Sequence, residues 1–352
     1  METLTPAVTV IIPVYNGENY LAEAIDSVLN QTCQDYNVLV VDDGSTDGTW
    51  AIVERYMVDH PGVVQGLRKE NGGTATALNM GIRAAQSKYI AWLSHDDRFV
   101  PHKLETQLRV LREQPEAVGV YSDYAYINAA SDYIGRAIAV TYPPAHMMRH
   151  LLQFVFINGS TLVVERRCLQ EVGLFDETLR YSHDALMWLY LVQRYQLAYV
   201  PEALTEYRLH PEQATFARPE IRRDSWLWLK KATEQFTMEQ IFPELNGPGI
   251  TNADRAAAYI YLGDVFLHCV MHPRLSLRQY WLAWSVWPNL KNPVLRKVVR
   301  AVRAIRQHVV KQLRQGRHGV TSFPQWDKPV TMHFRHASER VSDLELQSLK
   351  KI

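Results

Sequence analysis

The sequence predicts an α/β fold: a mostly parallel, doubly wound central sheet with flanking helices, followed by a helical extension. Three observations predict it. Over the first hundred residues, short and solidly apolar runs alternate with stretches of helical periodicity, the pattern of strand–helix–strand units. Those runs end in the polar clusters Tyr15-Asn16, Asp42-Asp43 and Asp96-Asp97, and such sheets bind ligands just beyond the carboxyl ends of their strands. After Pro219 the chain reads as helix throughout, rich in Trp and Tyr.

The elements follow in order. Val8–Ile12, ended by Pro13, reads as a buried parallel strand. Tyr20, Leu21, Ala24, Ile25, Val28 and Leu29 recur at helical spacing, with Asn19 available as a cap. Val38–Val41 is a second strand, broken by Asp42-Asp43-Gly44-Ser45, and a helix follows with Ile52, Val53, Tyr56 and Met57 on one side. A weaker strand at Val63–Leu67 leads to a helix from Thr74, and Lys88–Leu93 makes a fourth strand. Beyond Pro101 the pattern is mixed: a helix with Leu104, Leu108 and Leu111, strands at Val118–Ile127 and Thr161–Val164, and a helix starting near Asp184. A strand pair at Leu197–Val200 and Leu204–Leu209 closes this part.

The chain has 352 residues, 47% hydrophobic and 21% charged, a balance that buries a full core and excludes whole-chain disorder. Its length suits one large domain with an appendage: a catalytic domain over 1–215, a helical extension over 216–315 and a poorly patterned tail over 316–352. The formal charge of +1 conceals an asymmetry, because residues 265–326 hold 11 Lys and Arg and no acid. A basic appendage of this kind suits an anionic surface. Cys33, Cys168 and Cys269 match no metal or redox spacing, and the N-terminus has no signal-peptide pattern. With no run of about 18 apolar residues, the expected placement is cytoplasmic.

Three clusters can carry chemistry, and each has a plainer reading beside it. Two adjacent carboxylates, Asp96 and Asp97, repel unless a cation neutralises them, and a hard divalent ion takes one or two carboxylates together with phosphate oxygens; they can equally cap the helix after Pro101. Asp42-Asp43 can accept a hydrogen bond from a nucleobase N–H, or simply form a turn. Asn71-Gly72-Gly73 precedes a helix, where backbone N–H groups can approach an anion, although a plain loop has the same composition. No G-x-G-x-x-G or Walker pattern is present, which argues against dinucleotide and P-loop sites.

Taken together, these clusters resemble the family 2 glycosyltransferases, which have the GT-A fold. The resemblance runs through Val10-Ile11-Ile12-Pro13-Val14-Tyr15-Asn16, Val40-Val41-Asp42-Asp43-Gly44-Ser45, Asn71-Gly72-Gly73, Ala77-Leu78-Asn79-Met80-Gly81 and Trp92-Leu93-Ser94-His95-Asp96-Asp97. It continues in Gly173-Leu174-Phe175-Asp176-Glu177, His183-Asp184-Ala185-Leu186-Met187-Trp188 and Tyr207-Arg208-Leu209-His210, covering about residues 7–215. It implies that Pro13 and Tyr15 flank the nucleobase, Asp43 binds its edge with support from Asp42, and Gly73 lies at the donor loop. Asp96 would contact ribose or sugar, and Asp97, with His210, would hold Mg²⁺ or Mn²⁺ on the diphosphate. Asp184 would be the general base, its bland alternative being an N-cap. Two positions depart from the family pattern: His95 stands where an Asp is frequent, and His183 where a Glu usually precedes the catalytic Asp.

The implied reaction is inverting transfer from a nucleotide-sugar, expected to be a UDP-sugar, to a hydroxyl of a glycan or lipid-linked acceptor, as in bacterial surface polysaccharide assembly at the cell envelope. A divalent ion would stabilise the charged leaving group, and a base would take the acceptor's proton. Two other readings compete. A sugar nucleotidyltransferase wants a Gly-rich basic loop after the first strand, which Pro13-Val14-Tyr15-Asn16 is not; a non-catalytic glycan-binding module would not need Asp43, Asp97 and Asp184.

The extension carries its own pattern. Val294, Val298, Val302, Ile305 and Val309 keep helical spacing, with Lys297, Arg300, Arg303 and Arg306 around them, and Trp281, Trp284 and Trp287 lie upstream. Such a segment, 281–314, can lie in a membrane interface, on the inner face of the plasma membrane, or pack on the body with a solvated basic face. No nucleic-acid recognition motif accompanies the charge, so no nucleic-acid partner is expected.

Overall fold

The computed structural model describes residues 5–213, 221–269, 272–288, 294, 297–298 and 330–333. They fall into two compact units, the first built on residues 5–144, 156–213 and 330–333, the second on 145–155 and the described residues from 221 to 298. The poorly patterned tail and all of the basic segment after residue 298 lie outside the described residues, apart from the strand at 330–333.

The first unit opens with β1 (Val8–Val14), α1 (Leu21–Leu29), β2 (Tyr36–Asp42), α2 (Thr49–Asp59), β3 (Val64–Arg68), α3 (Thr74–Ala84) and β4 (Tyr89–Trp92). β1 pairs in parallel with β2 and β4, and β2 with β3. Every residue of β1 is buried, as a strand covered on both faces requires. Val8, Val10, Ile12, Val38 and Val40 pack with Leu21, Ile25 and Val28 of α1 in one core. Pro13 fits inside β1 because the ladder to β4 ends at Ile11–Trp92, so the missing N–H faces the side where pairing has stopped.

Then come β5 (Arg98–Phe99), α4 (Lys103–Glu113), β6 (Ala117–Ile127), β7 (Tyr133–Ile138), α5 (Met147–Gln153, in the second unit), β8 (Val163–Glu165), α6 (Arg166–Glu171), α7 (His183–Arg194) and β9 (Gln196–Arg208). β8 is antiparallel to β4 and β6, so the sheet runs β7-β6-β8-β4-β1-β2-β3, with β9 parallel to β6. The sheet is therefore mixed at one side and parallel at the other.

Three expectations change. The stretches Leu197–Val200 and Leu204–Leu209 form one strand, β9, because β6 offers a long partner; the register shift between Ser122 and Asp123 lets Pro201 and Glu202 loop out without ending the pairing. Asn19 does not cap α1, whose first flanking residue is Tyr20 with no side-chain cap. Asp96 and Asp97 do not cap the helix after Pro101 either: β5 intervenes, and α4 is preceded by His102.

The second unit contains α5, α8 (Ile221–Gln235), α9 (Met238–Ile241), α10 (Asn252–His268) and α11 (Pro273–Val286). Thr251 and Asp254 form a reciprocal capping box that starts α10. Ala256, Ile260 and Leu267 of α10 pack on Tyr280 and Ala283 of α11, joined by Val294 and Val298. Inside, Asp264 accepts hydrogen bonds from Tyr280 Oη at 2.5 Å and Lys297 Nζ at 2.6 Å. His272 caps α11 by accepting a hydrogen bond from Leu275 N. No helix among the described residues is long and apolar enough to cross a membrane.

Candidate active site

The exits of β1 and β2 are knitted together by their own polar residues. Asn16 N donates to Ser45 Oγ at 2.9 Å, Thr46 N to Asn16 Oδ1 at 2.8 Å, and Gly17 N to Thr49 Oγ1 at 2.9 Å. Tyr15 stands at this edge with 42% of its surface exposed, an open aromatic face of the kind that stacks on a planar ring. Behind it Asp42 is fully buried, accepting from Ser45 N at 2.9 Å and paired with Arg68 Nε at 3.0 Å.

Asp43 organises the neighbouring loop. Its carboxylate accepts from Gly72 N at 3.0 Å, Gly73 N at 2.7 Å and Lys69 Nζ at 2.5 Å. The backbone N–H groups before α3 thus meet an anion, and in this structure that anion is the Asp43 carboxylate. Gly73 has φ +94°, a conformation that only glycine adopts without strain, and this turns the loop back onto Asp43.

At the exit of β4 the two acids have different partners. Asp97 is 1% exposed; its Oδ2 accepts from Ser160 Oγ at 2.7 Å and its Oδ1 from Arg208 N at 3.0 Å. Burial, and then the charge of Asp96, push the Asp97 carboxyl well above the usual carboxylate range, against the pull of Ser160 and Arg208. Burial works on Asp96 as well, but His210 Nε2, 3.0 Å from its Oδ2, and the charges of His95 and His210 hold it below that range. A buried carboxylate whose ionisation its surroundings oppose is suited to a cation. Among the described residues no group of three or more His, Cys, Asp or Glu side chains forms a metal cage. Asp96, Asp97 and His210 thus form no preformed cage, and an ion at Asp97 would take most of its ligands from phosphate and water.

The frame around these acids comes from distant parts of the chain. Arg208, fully buried, donates from Nε to Asp96 O at 2.8 Å and from Nη2 to Glu23 Oε2 at 2.9 Å, and lies over the Tyr20 ring. Tyr20 in turn meets the His210 ring at 4.9 Å. Ser160 is held in a short 3-10 turn, Gly159–Thr161, whose Thr161 carbonyl accepts from Lys103 Nζ at 3.0 Å and Gln107 Nε2 at 2.8 Å. Burial pushes the Lys103 amine well below its ordinary value.

Asp184 lies in the first turn of α7, with Ser182 in the N-cap place, and its Oδ1 accepts from Ala185 N at 2.8 Å. It is half-buried, and burial pushes its carboxyl up to about 6 against two backbone hydrogen bonds. A carboxylate poised near neutral pH is suited to taking a proton. His183 beside it is buried between the rings of Trp92, at 5.6 Å, and Phe175, at 5.5 Å; burial holds it near 4, hence neutral. Phe175 is positioned by Asn79, whose side chain exchanges two 2.9 Å hydrogen bonds with the Phe175 backbone. Motifs almost a hundred residues apart thus build one wall.

Residues 9–169 match the family model described as glycosyl transferase family 2. An uncharacterised glycosyltransferase of Rickettsia prowazekii is 36% identical over 243 residues, covering 66% of this chain and 74% of the relative. The chain belongs to glycosyltransferase family 2. TuaG of Bacillus subtilis, a glycosyltransferase assigned provisionally to teichuronic acid biosynthesis, is 30% identical over 230 residues, 64% of this chain and 88% of TuaG. Staphylococcus aureus TarS 1–349, solved in complex with UDP-GlcNAc, superposes with a TM-score of 0.54 at 16% identity, covering 91% of this chain and 97% of TarS. That likeness establishes the fold, which is GT-A.

In this glycosyltransferase, Pro13, Tyr15, Asp42, Asp43, Gly73, Asp96, Asp97 and His210 gather along the carboxyl edge of the sheet. Asp184 stands at the wall made by His183, Trp92 and Phe175. Sequence reading missed Arg208 and Ser160 as supports of Asp97. Arg208 stood inside a motif already singled out; Ser160 gave no signal. Gly159 makes the wall possible, since a Cβ there would lie 2.2 Å from the Trp92 ring. Gly159→Ala is therefore expected to destabilise the protein by about 1–3 kcal/mol through overpacking, measured by urea denaturation; an unchanged midpoint would mean that Trp92 moves aside freely.

Proposed function

We propose that this enzyme transfers a sugar from a nucleotide-sugar, preferentially a UDP-sugar, to a hydroxyl of a glycan or lipid-linked acceptor, with inversion, in bacterial surface polysaccharide assembly. The observation that carries the reading is the pairing of a buried acid couple, Asp96-Asp97, at one strand end with a near-neutral carboxyl, Asp184, on the same sheet unit. The relatives' names support the polymer context, and the UDP-GlcNAc complex of TarS supports the donor class. Residues 1–215 are the catalytic domain in this reading.

Tyr15 stacks on the base, with Pro13 beside it, and the Asp42–Asp43 turn and the Gly73 loop border the nucleoside. Asp96 faces ribose or sugar. Asp97, with His210 held on the neighbouring Asp96, would hold Mg²⁺ or Mn²⁺, which would supply Lewis-acid stabilisation of the diphosphate leaving group. The acceptor oxygen forms a bond to the anomeric carbon as the bond from that carbon to the phosphate oxygen breaks. The electron pair leaves with the nucleoside diphosphate, and the hydroxyl proton passes to the Asp184 carboxylate. One displacement from the face opposite the leaving group inverts the configuration. Neutral His183 leaves Asp184 without a second acid beside it, where the family usually places a Glu. A peripheral seat on an anionic membrane surface belongs to the same reading, since lipid-linked acceptors lie there.

A melting-temperature screen of UDP-, GDP- and dTDP-sugars, each with and without Mn²⁺, tests it. Ligand at a hundred times its dissociation constant stabilises by about 2.7 kcal/mol, so a UDP-sugar with Mn²⁺ is expected to raise Tm by several degrees. No shift with any nucleotide-sugar would remove the proposal.

A further inference from the structure

We infer that the outward face of α11, carrying Arg274, Arg278, Trp281 and Trp284, is the surface that seats this enzyme on an anionic lipid membrane; the inference rests on the membrane association proposed above and assigns it to named residues. The helix is amphipathic in an unusual sense. Ser276, Gln279, Tyr280 and Ala283 form its buried side, closed over α10. Arg274, Arg278, Trp281, Trp284 and Ser285 are exposed, and at 100° per residue the two arginines, Trp281 and Ser285 fall within one narrow arc, with Trp284 flanking it.

Trp281 has 66% and Trp284 38% of its surface exposed, and both are among the few large apolar side chains left open among the described residues. An indole buried to the headgroup level keeps its N–H wet and its ring in the apolar boundary. An arginine on the same face lays its stem along that boundary and its guanidinium among lipid phosphates. The two chemistries sit one after the other along the helix, arginines in the first half and tryptophans in the second. The helix is 14 residues long, about 21 Å, so it lies flat rather than spanning. No acid occurs between residues 265 and 326, so nothing on this helix opposes an anionic surface.

The start of the basic segment is occupied otherwise. Val294 is 3% exposed and packs with Val298 on the α10–α11 core, while Lys297 is committed to buried Asp264 at 2.6 Å. Trp287 also packs against this core. These residues turn inward, which leaves α11 as the outward amphipathic face among the described residues of the extension.

The test is co-sedimentation of the full chain with vesicles of phosphatidylglycerol and phosphatidylcholine, and with phosphatidylcholine alone. Wild type is expected to bind the anionic vesicles and to release as salt rises. Arg274→Gln with Arg278→Gln is expected to weaken binding by about twenty-fivefold, at roughly fivefold for each charge, and Trp281→Ser with Trp284→Ser by about tenfold or more. UDP binding and Tm serve as controls and are expected to be unchanged, so a failed donor reading and a failed membrane reading are distinguished. Unchanged vesicle binding in both double variants would overturn the inference, as would its loss only in Arg300→Gln, Arg303→Gln, Arg306→Gln. So would a wild type that ignores vesicles but self-associates through the tryptophans, seen by sedimentation velocity.

Discussion

Asp184→Asn is expected to leave a folded, donor-binding protein whose transfer rate falls by about a hundred- to ten-thousandfold, the usual cost of removing a general base. The amide keeps the shape and still accepts the hydrogen bond from Ala185 N, but it takes no proton at neutral pH. The wild-type carboxyl, pushed by burial up to about 6, places an acid limb on kcat/KM: activity rises about tenfold per pH unit below 6 and levels above it, and the variant loses the limb. Stability should move oppositely. The folded pKa lies above the unfolded value of about 3.9, so between pH 4 and 6 the folded state binds more protons and stability falls as pH rises through that window. At pH 7 the ionised group is a burden, and Asn removes it. Because the side chain is only half-buried, the gain is on the order of 1 kcal/mol, after discounting the full shift for solvent. Lower turnover with a raised Tm is the signature; normal turnover in a folded variant would take Asp184 out of the mechanism.

Asp97→Ala is expected to abolish the strengthening of UDP binding by Mn²⁺, a loss of about tenfold or more, of the size seen when metal sites lose supporting groups. The physical reason is that Asp97 is the acid whose ionisation the site opposes most strongly, through burial and the neighbouring Asp96. A cation would relieve that opposition; alanine removes both the charge and the need. Titration calorimetry of UDP with and without Mn²⁺, in wild type and variant, measures it. The substitution leaves Ser160 Oγ and Arg208 N without their acceptor, so a melting curve must accompany it. Equal metal dependence in two folded proteins would contradict the assignment to Asp97.

The two acids illustrate what a sequence reveals of a site. Asp96 and Asp97 are legible as a pair after an apolar run because the run marks the strand and the pair marks its end. Their inequality is not legible. His210 comes to Asp96 and not to Asp97 because β9 lies where it does beside β6, with Arg208 paired to Ile127. The plainer readings also divide this way: Asp42 does serve its turn through Ser45 N, whereas the helix-capping alternative for Asp96 and Asp97 fails because β5 stands between.

By itself the sequence determined the parallel half of the sheet, the position of the polar clusters at its carboxyl edge and the helical character of the extension. These follow from spacing along the chain: apolar runs, a 3.6-residue period and turn residues act within a few positions of themselves. Only the tertiary structure decided that Asp43 clamps the Gly72-Gly73 loop, that Ser160 and Arg208, 63 and 111 residues from Asp97, fix its carboxylate, and that β9 is one strand. It also decided that the tryptophans of α11 face outward while Val294 faces in. Such partners are set by strand register and helix packing, which join segments through burial and hydrogen bonding rather than through their own local pattern, and no local pattern therefore carries them.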